Sequence, residues 1–243
     1  MRTIAEPVVG SEVRVEPKET EGILINGIPA ELGNAVPVFR IDLVQDNDRT
    51  FIAEHVLSVL GMYGITAAKV TGITENWDFA RPEHRFCYSE NVGPEWAVGH
   101  PAGLHNPTLV EALRTTDIVE TGETTRTSVS EPVECGDGAI RIAPRESGTG
   151  LLLRNHHQGE VLTFDIDPQS QTDGEIIREI TSSTTPFLTP DSREGAIHWI
   201  GDMVSDIGII GGFDDLVIDS YEPGHNYTIG VSQKASDEGL VVQ

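Results

Sequence analysis

His198, Asp202 and Asp206 lie at four-residue intervals in the stretch Ile197-His198-Trp199-Ile200-Gly201-Asp202-Met203-Val204-Ser205-Asp206. On a helix, steps of four and eight residues rotate by only about 40° and about 80°, so all three side chains share one face. Imidazole with carboxylate is a zinc-type donor set, and a further polar group one turn on is placed to orient it. Ile197, Ile200, Met203, Val204 and Ile207 already supply apolar faces for burial, so the polar file is surplus to packing and points to metal chemistry. Glu54 and His55 stand side by side at the start of another apolar-patterned helix, over roughly residues 53–63. Neighbouring helix positions diverge by about 100°, so both reach one small site only near the helix end. A third polar spot is Pro223-Gly224-His225-Asn226, where a histidine follows a tight turn between two expected strands. Each spot also has a plainer role: an early-turn acid favoured by the helix dipole, a satisfied half-buried histidine, an exposed turn residue.

The elements that must position these groups read as α+β. In the first half, residues 12–16 alternate, 22–25 are apolar, and Val36 to Val44 alternates as one strand before a turn at Asp46-Asn47-Asp48. A helix with Val56, Leu57, Val59 and Leu60 buried stops at Gly64, and Ala67-Ala68-Lys69-Val70-Thr71 is the next strand. Residues 72–106 show no clean period, and Pro107 starts a second helix through Leu113. The Thr- and Glu-rich stretch from Thr115 to Thr127 is the best linker. The pattern then restarts, with strands at 127–129, 139–142, 151–154 and 161–166. Helices follow at about 173–182 and 192–206, and strands at Leu216–Ser220 and Tyr227–Ser232 close the chain. Two similar α+β domains are therefore expected, residues 1–118 with the Glu54/His55 helix and 119–243 with the His198/Asp202 helix and the His225 turn. No repeat is visible at the level of residue identity.

Composition narrows the function. The 243 residues carry 39 acidic against 16 basic side chains, a formal charge of −23. Such a field repels phosphate backbones and anionic bilayers, so neither nucleic acid nor a membrane is an expected partner. Lys appears only at 18, 69 and 234, an acidic, Lys-poor pattern in keeping with a salt-adapted or GC-rich source. No run reaches the length of a membrane span and no apolar signal core opens the chain, so a cytoplasmic protein is expected. Cys87 and Cys135 are too few for a disulfide framework and read as reduced thiols. A monomer acting on a small-molecule substrate fits these features best.

Three separated motifs together resemble a family. Glu54-His55-Val56-Leu57-Ser58-Val59-Leu60-Gly61-Met62-Tyr63-Gly64-Ile65 resembles the Glu-His-Leu-Leu-Ser-Ala-Leu-Ala-Gly-Leu-Gly-Ile segment of bacterial UDP-3-O-acyl-N-acetylglucosamine deacetylases, zinc enzymes of lipid A biosynthesis. His198 to Asp206 resembles that family's His-Lys-x-x-Asp-x-x-Gly-Asp motif, and Gly224-His225-Asn226 its Gly-His-x-x-Asn turn, in the same order. Thr108 to Ile118 is similar to the end of the family's first domain. The resemblance implies two small sheets with two helices each, the helices sandwiched between the sheets and the site where the halves meet. It implies that His55, His198 and Asp202 bind zinc, with iron(II) as an alternative, leaving an open fourth position. Glu54 would be the general base and His225 the imidazolium that protonates the leaving amine. Asp206 would raise the pKa of His225, and Thr185 would assist at the oxyanion.

The chain departs from that family in the parts that recognise lipid. Only Pro186 to Ile197 separates Thr185 from His198, where the family inserts a long hydrophobic passage for an acyl chain. Trp199 replaces the family lysine, and the family's Gly-Leu-His-Ser-Gly and Met-Asp-Gly-Ser segments are missing. The expectation is a zinc amide hydrolase of the N-deacetylase type for a small soluble N-acyl substrate: an N-acetyl amino sugar, a nucleotide sugar or a natural-product intermediate. Hydrolysis of a cyclic amide, imine or ester, a non-catalytic metal-binding relative, and the lipid A deacetylase itself are the alternatives. Among the remaining histidines, His156-His157 reads as a solvated turn, while His100 and His105 are the next candidates for substrate contact. Trp77, Phe79, Phe86, Tyr88 and Trp96 read as core, or as a lid.

Overall fold

Alternation of buried and exposed residues, as at Val13, Arg14 and Val15, builds short antiparallel strands, while a stretch of apolar residues at helical spacing builds the helix that follows them. The computed structural model describes residues 1–10, 13–37, 40–73, 101–122, 125–167, 177, 180 and 192–243, with side chains from residue 108 onward in the segment that begins at 101. The first unit holds β1 (Arg2–Ile4), β2 (Val8–Gly10), β3 (Val13–Pro17), β4 (Gly22–Ile25) and β5 (Ile28–Pro29). A meander of β6 (Ala35–Pro37), β7 (Ile41–Gln45) and β8 (Asp48–Thr50) follows, then helix α1 (Glu54–Met62), β9 (Ala67–Thr71), α2 (Pro101–Arg114) and β10 (Ile118–Glu120). The second unit holds β11 (Ser128–Val129), β12 (Val133–Cys135), β13 (Ile140–Pro144), β14 (Leu151–His157), β15 (Glu160–Ile166), α3 (Arg193–Met203), β16 (Leu216–Ser220), α4 (His225–Asp237) and β17 (Val241–Val242).

The two units share one topology. Their sheets run β2-β3-β9-β4-β5 and β12-β13-β16-β14-β15. In each, a single pair is parallel, β4 with β9 and β14 with β16, and the rest are antiparallel. A parallel pair needs a crossover, and α1 lies on one while α3 lies on the other. Each unit's first strand also pairs antiparallel with its last, β1 with β10 and β11 with β17. Helix α1 is thus the counterpart of α3, and α2 of α4. The duplication that residue identities conceal is present in the order and sense of the strands.

The helices form the layer between the sheets. Helix α1 packs on α3 and on its continuation, α2 packs on α1 and β2, and α4 packs on that continuation and on β12 and β13. One apolar core runs through both units, from Val13, Val15 and Leu57 to Ile200, Met203, Ile207 and Ile218. The α1–α3 crossing is close because glycine occupies it. A methyl group added at Gly201 would lie 2.6 Å from Ser58 Oγ, and one at Gly61 would lie 2.7 Å from Val204 Cγ1. Ser192 caps α3 by accepting the Gly195 N–H at 2.9 Å. Helix α1 ends at a left-handed Gly64, φ 65°. Among the described residues no helix is long and apolar enough to cross a membrane.

Several sequence expectations need correction. Val36 to Val44 is not one strand: it holds parts of β6 and β7, which pair antiparallel with Pro37 opposite Ile41. Helix α2 begins at Pro101, six residues before Pro107, so the N1 preference applies to an earlier proline than the one chosen. The expected linker contains β10, which β1 pairs with. The second-half pattern missed β12, whose three residues are too short to show a period. Helix α3 gives way at Val204 to a π-helical segment, Val204–Ile210, in which the Gly211 N–H bonds the Asp206 carbonyl at 2.9 Å. Tyr227–Ser232 is helix, not strand: His225, Thr228, Ile229, Val231, Ser232 and Ala235 are buried at helical spacing, and β-branched residues gave the stretch its strand-like look. His156 and His157 end strand β14 rather than forming a turn. Helix 173–182, Cys87, His100 and the aromatics between Trp77 and Trp96 fall wholly or largely outside the described residues, as does the side chain of His105.

Candidate metal centre

Two counterpart helices carry the metal-ligand candidates, α1 at its N-terminal end and α3 in its second and third turns. His55 lies on the first turn of α1, and His198 and Asp202 lie one turn apart on α3. One ligand atom of each lies within 4.8 Å of the others. The His55 and His198 rings meet edge to face, centroids 5.1 Å apart. His198 Nε2 is 3.3 Å from Asp202 Oδ2. Two donors of a tetrahedral zinc site, each at about 2.0–2.1 Å from the ion, are separated by roughly 3.3 Å, so this pair already has the spacing of a metal edge. His198 Nδ1 is buried and has no hydrogen-bond partner among the described residues. The donor set fits a divalent cation such as zinc or iron(II).

Burial and charge set the protonation of the cluster. Desolvation, with the His225 charge adding to it, pushes His198 down to about 4, so its imidazole is neutral at pH 7 and offers a lone pair. Burial pushes Asp202 up to about 6, against the opposing charges of His225 and His55. Glu54 is 2% exposed, and burial pushes it up to about 8, with Asp202 and Asp206 adding to the rise and His225 opposing it. Glu54 Oε2 accepts the Ile41 N–H of β7 at 3.0 Å, which anchors the carboxyl through one oxygen.

His225 is the first residue of α4, not a turn residue between strands. An imidazolium at a helix N-terminus meets the positive end of the dipole, a cost of about 0.3–1 kcal/mol. Burial also opposes its charge, yet Asp206 by charge and hydrogen bond, joined by Asp202 and Glu54, holds His225 up to about 10. His225 Nδ1 lies 2.7 Å from Asp206 Oδ2, and its Nε2 lies 3.9 Å from Asp202 Oδ2, facing the metal-ligand candidates. Asp206 is fully buried and accepts two hydroxyls besides, Thr228 at 2.6 Å on Oδ2 and Ser205 at 2.8 Å on Oδ1. Trp199 packs edge to face on the His225 ring at 5.4 Å, its indole N–H donating to Ser220 Oγ at 2.7 Å.

The sequence-predicted residues Glu54, His55, His198, Asp202, Asp206 and His225 therefore come together. Thr185 lies outside the described residues. Thr228, Ser205 and Ser220 were missed. Thr228 sits three residues after His225, a spacing that has meaning only once the segment is helical, so the strand expectation hid it. His156 belongs to a separate surface cluster, with Nε2 3.3 Å from Asp219 Oδ1 and its ring stacked on Tyr221 at 4.1 Å. No family model matches the chain, and a search of curated proteins finds no matching relative.

Proposed function

We propose that this protein is a metal-dependent amide hydrolase of the N-deacetylase type, acting on a small soluble N-acylated substrate such as an N-acetyl amino sugar. The observation that carries the reading is the meeting, in one cluster, of a His/His/Asp donor set, a buried carboxyl anchored through one oxygen and an imidazole held charged by its own carboxylate. An amide is a poor electrophile with a poor leaving group, so its hydrolysis needs a Lewis acid, a base and a proton donor for nitrogen. His55, His198 and Asp202 would hold zinc or iron(II). When bound, such an ion acidifies water and polarises a carbonyl oxygen. A cation beside them also favours the ionised forms of Glu54 and Asp202, returning both carboxyls toward their ordinary range. Glu54 then takes a proton from the attacking water on its other oxygen. His225, its Nδ1 committed to Asp206, gives the proton on Nε2 to the departing amine.

The substrate size follows from the sequence. The short run from Thr185 to His198 has no room for an acyl passage, and Trp199 replaces the lysine of the family that the motifs resemble. Trp199 is buried against His225 and Ser220, so that position offers no charge to a substrate. The test combines metal analysis with acetate release from N-acetyl sugars. About one metal per chain is expected, and Glu54→Gln retains it while losing at least about 100-fold in turnover. A wild-type chain that takes up no metal, or a Glu54→Gln variant with full activity, would overturn the proposal.

A further inference from the structure

We infer that Asp42 is a positioning residue for the metal centre, holding the left-handed turn at Ile52 from which Glu54 and His55 project; this rests on the metal-binding reading above. Ile52 has φ 58°, a region that a β-branched side chain avoids, and it is buried two residues before Glu54. Such a conformation persists only where its surroundings over-determine it. Strand β7 supplies the constraint. Asp42 Oδ1 accepts the Ile52 N–H at 3.4 Å, the Ile41 carbonyl accepts the Ala53 N–H at 2.9 Å, and the Ile41 N–H donates to Glu54 Oε2 at 3.0 Å. Three consecutive residues, 52 to 54, are thus tied to two consecutive residues of one strand.

Asp42 is itself fixed. It is fully buried, with Arg40 Nε at 2.6 Å on Oδ1, and Arg40 Nη2 at 3.3 Å and the Arg49 guanidinium on Oδ2. Both guanidiniums also lie over the Phe51 ring, at 5.2 and 4.9 Å from its centroid. The comparison with the second unit isolates the purpose of this bracket. Helix α3, the counterpart of α1, starts from Ser192 in an extended conformation with an ordinary side-chain cap. Helix α3 presents ligands from its second and third turns, where the helix itself aims them. Helix α1 must aim a base and a ligand from its first residues, where the preceding turn decides direction.

The experiment reads metal affinity, not turnover, by chelator competition with zinc and by the visible spectrum of the cobalt(II) form. Removing Asp42 alone would strand buried Arg40, so the informative variant is Arg40→Met/Asp42→Leu, with Arg40→Met as its control. Arg40→Met keeps the acceptor for the Ile52 N–H and is expected to bind zinc within about 3-fold of wild type. The double variant is expected to bind about 10–100-fold more weakly, with an altered cobalt spectrum, as for losses of groups that orient ligands. A folded double variant with wild-type affinity and spectrum would overturn the inference. If it does not fold, Arg40→Met/Asp42→Ala, which also removes the acceptor, is read in its place, with a weakening of about 10-fold expected and an unchanged affinity and spectrum again decisive against it. Failure of the wild type to bind metal would instead strike the proposed function.

Discussion

Replacing Asp206 by asparagine tests the electrostatic logic of the cluster. The substitution keeps the shape of the side chain and removes its charge. In the wild type, Oδ2 receives His225 Nδ1 and the Thr228 hydroxyl while Oδ1 receives Ser205, so every donor around this carboxylate converges on acceptors. An amide turns one of the two acceptors into a donor; placed toward Ser205, whose hydroxyl then donates to the Asp202 carbonyl at 2.8 Å, it leaves a neutral oxygen to receive His225 and Thr228. The charge-assisted bond to His225 contributes about 1.5–3 kcal/mol. At about 1.4 kcal/mol per pKa unit, its loss lowers His225 by roughly one to two units. His225 then falls from about 10 toward roughly 8–9, because Asp202 and Glu54 still favour its charge. The assay is a pH titration of 15N-histidine chemical shifts on the metal-free protein, with metal content measured in parallel. Activity, once a substrate is in hand, should lose its alkaline limb by the same displacement. An unchanged His225 midpoint in a folded Asp206→Asn protein would refute the argument that Asp206 holds the imidazolium.

Two further perturbations follow from the geometry. Gly201→Ala places a methyl group 2.6 Å from Ser58 Oγ at the α1–α3 crossing, so the helices must separate or shift. Zinc affinity should drop by about 10-fold, and the double variant Ser58→Ala/Gly201→Ala should recover part of it; equal affinity in all three proteins would show that the crossing does not set the ligand spacing. The metal-free fold should also lose stability as pH rises from about 6.5 to 8, measured by urea denaturation. Glu54 keeps its proton in the fold up to about 8 while the unfolded chain releases it near 4.5, so stability declines between those values. His225 gives stability that is complete below its unfolded value of 6.5 and is lost as pH rises through about 10. Each contributes a slope of up to about 1.4 kcal/mol per pH unit, and a flat or rising profile would contradict both assignments.

The site was more legible than the fold. His198 and Asp202 announce themselves because helical spacing converts sequence positions into one face, and α3 is a regular helix from Arg193 to Met203. Beyond it the helical rule loosens: the π segment begins between Asp202 and Asp206, and Asp206 is drawn to His225 and Thr228. That separation of roles was available from the family resemblance but not from an ideal helix, which puts the three side chains in one file. The misreading of α4 has a different cause. Thr228, Ile229 and Val231 favour strands in isolation, and the burial of their helical face against the π segment and β12 overrides that preference. Pairing is illegible for a third reason. Which strands become neighbours depends on contacts distant in sequence, so the shared topology of the two units emerges only from register.

The charge balance of the cluster supports the proposal of a bound cation. Glu54, Asp202 and Asp206 are all nearly inaccessible, and only His225 is held strongly cationic among them. One imidazolium offsets one carboxylate, and its hydrogen bond assigns it to Asp206. Burial raises the other two acids, with neighbouring carboxylates adding to it, and Glu54, at about 8, keeps its proton at pH 7. His198 responds in the opposite sense and stays neutral. Asp202, raised to about 6, is largely ionised at pH 7 and sits beside a neutral His198, a pair that offers a negative charge and a lone pair to a cation. A metal bound there would release the proton that burial makes Glu54 keep. The candidate ligands come from counterpart helices of two units of one topology, so an ion held by them would also tie the units together at the α1–α3 crossing.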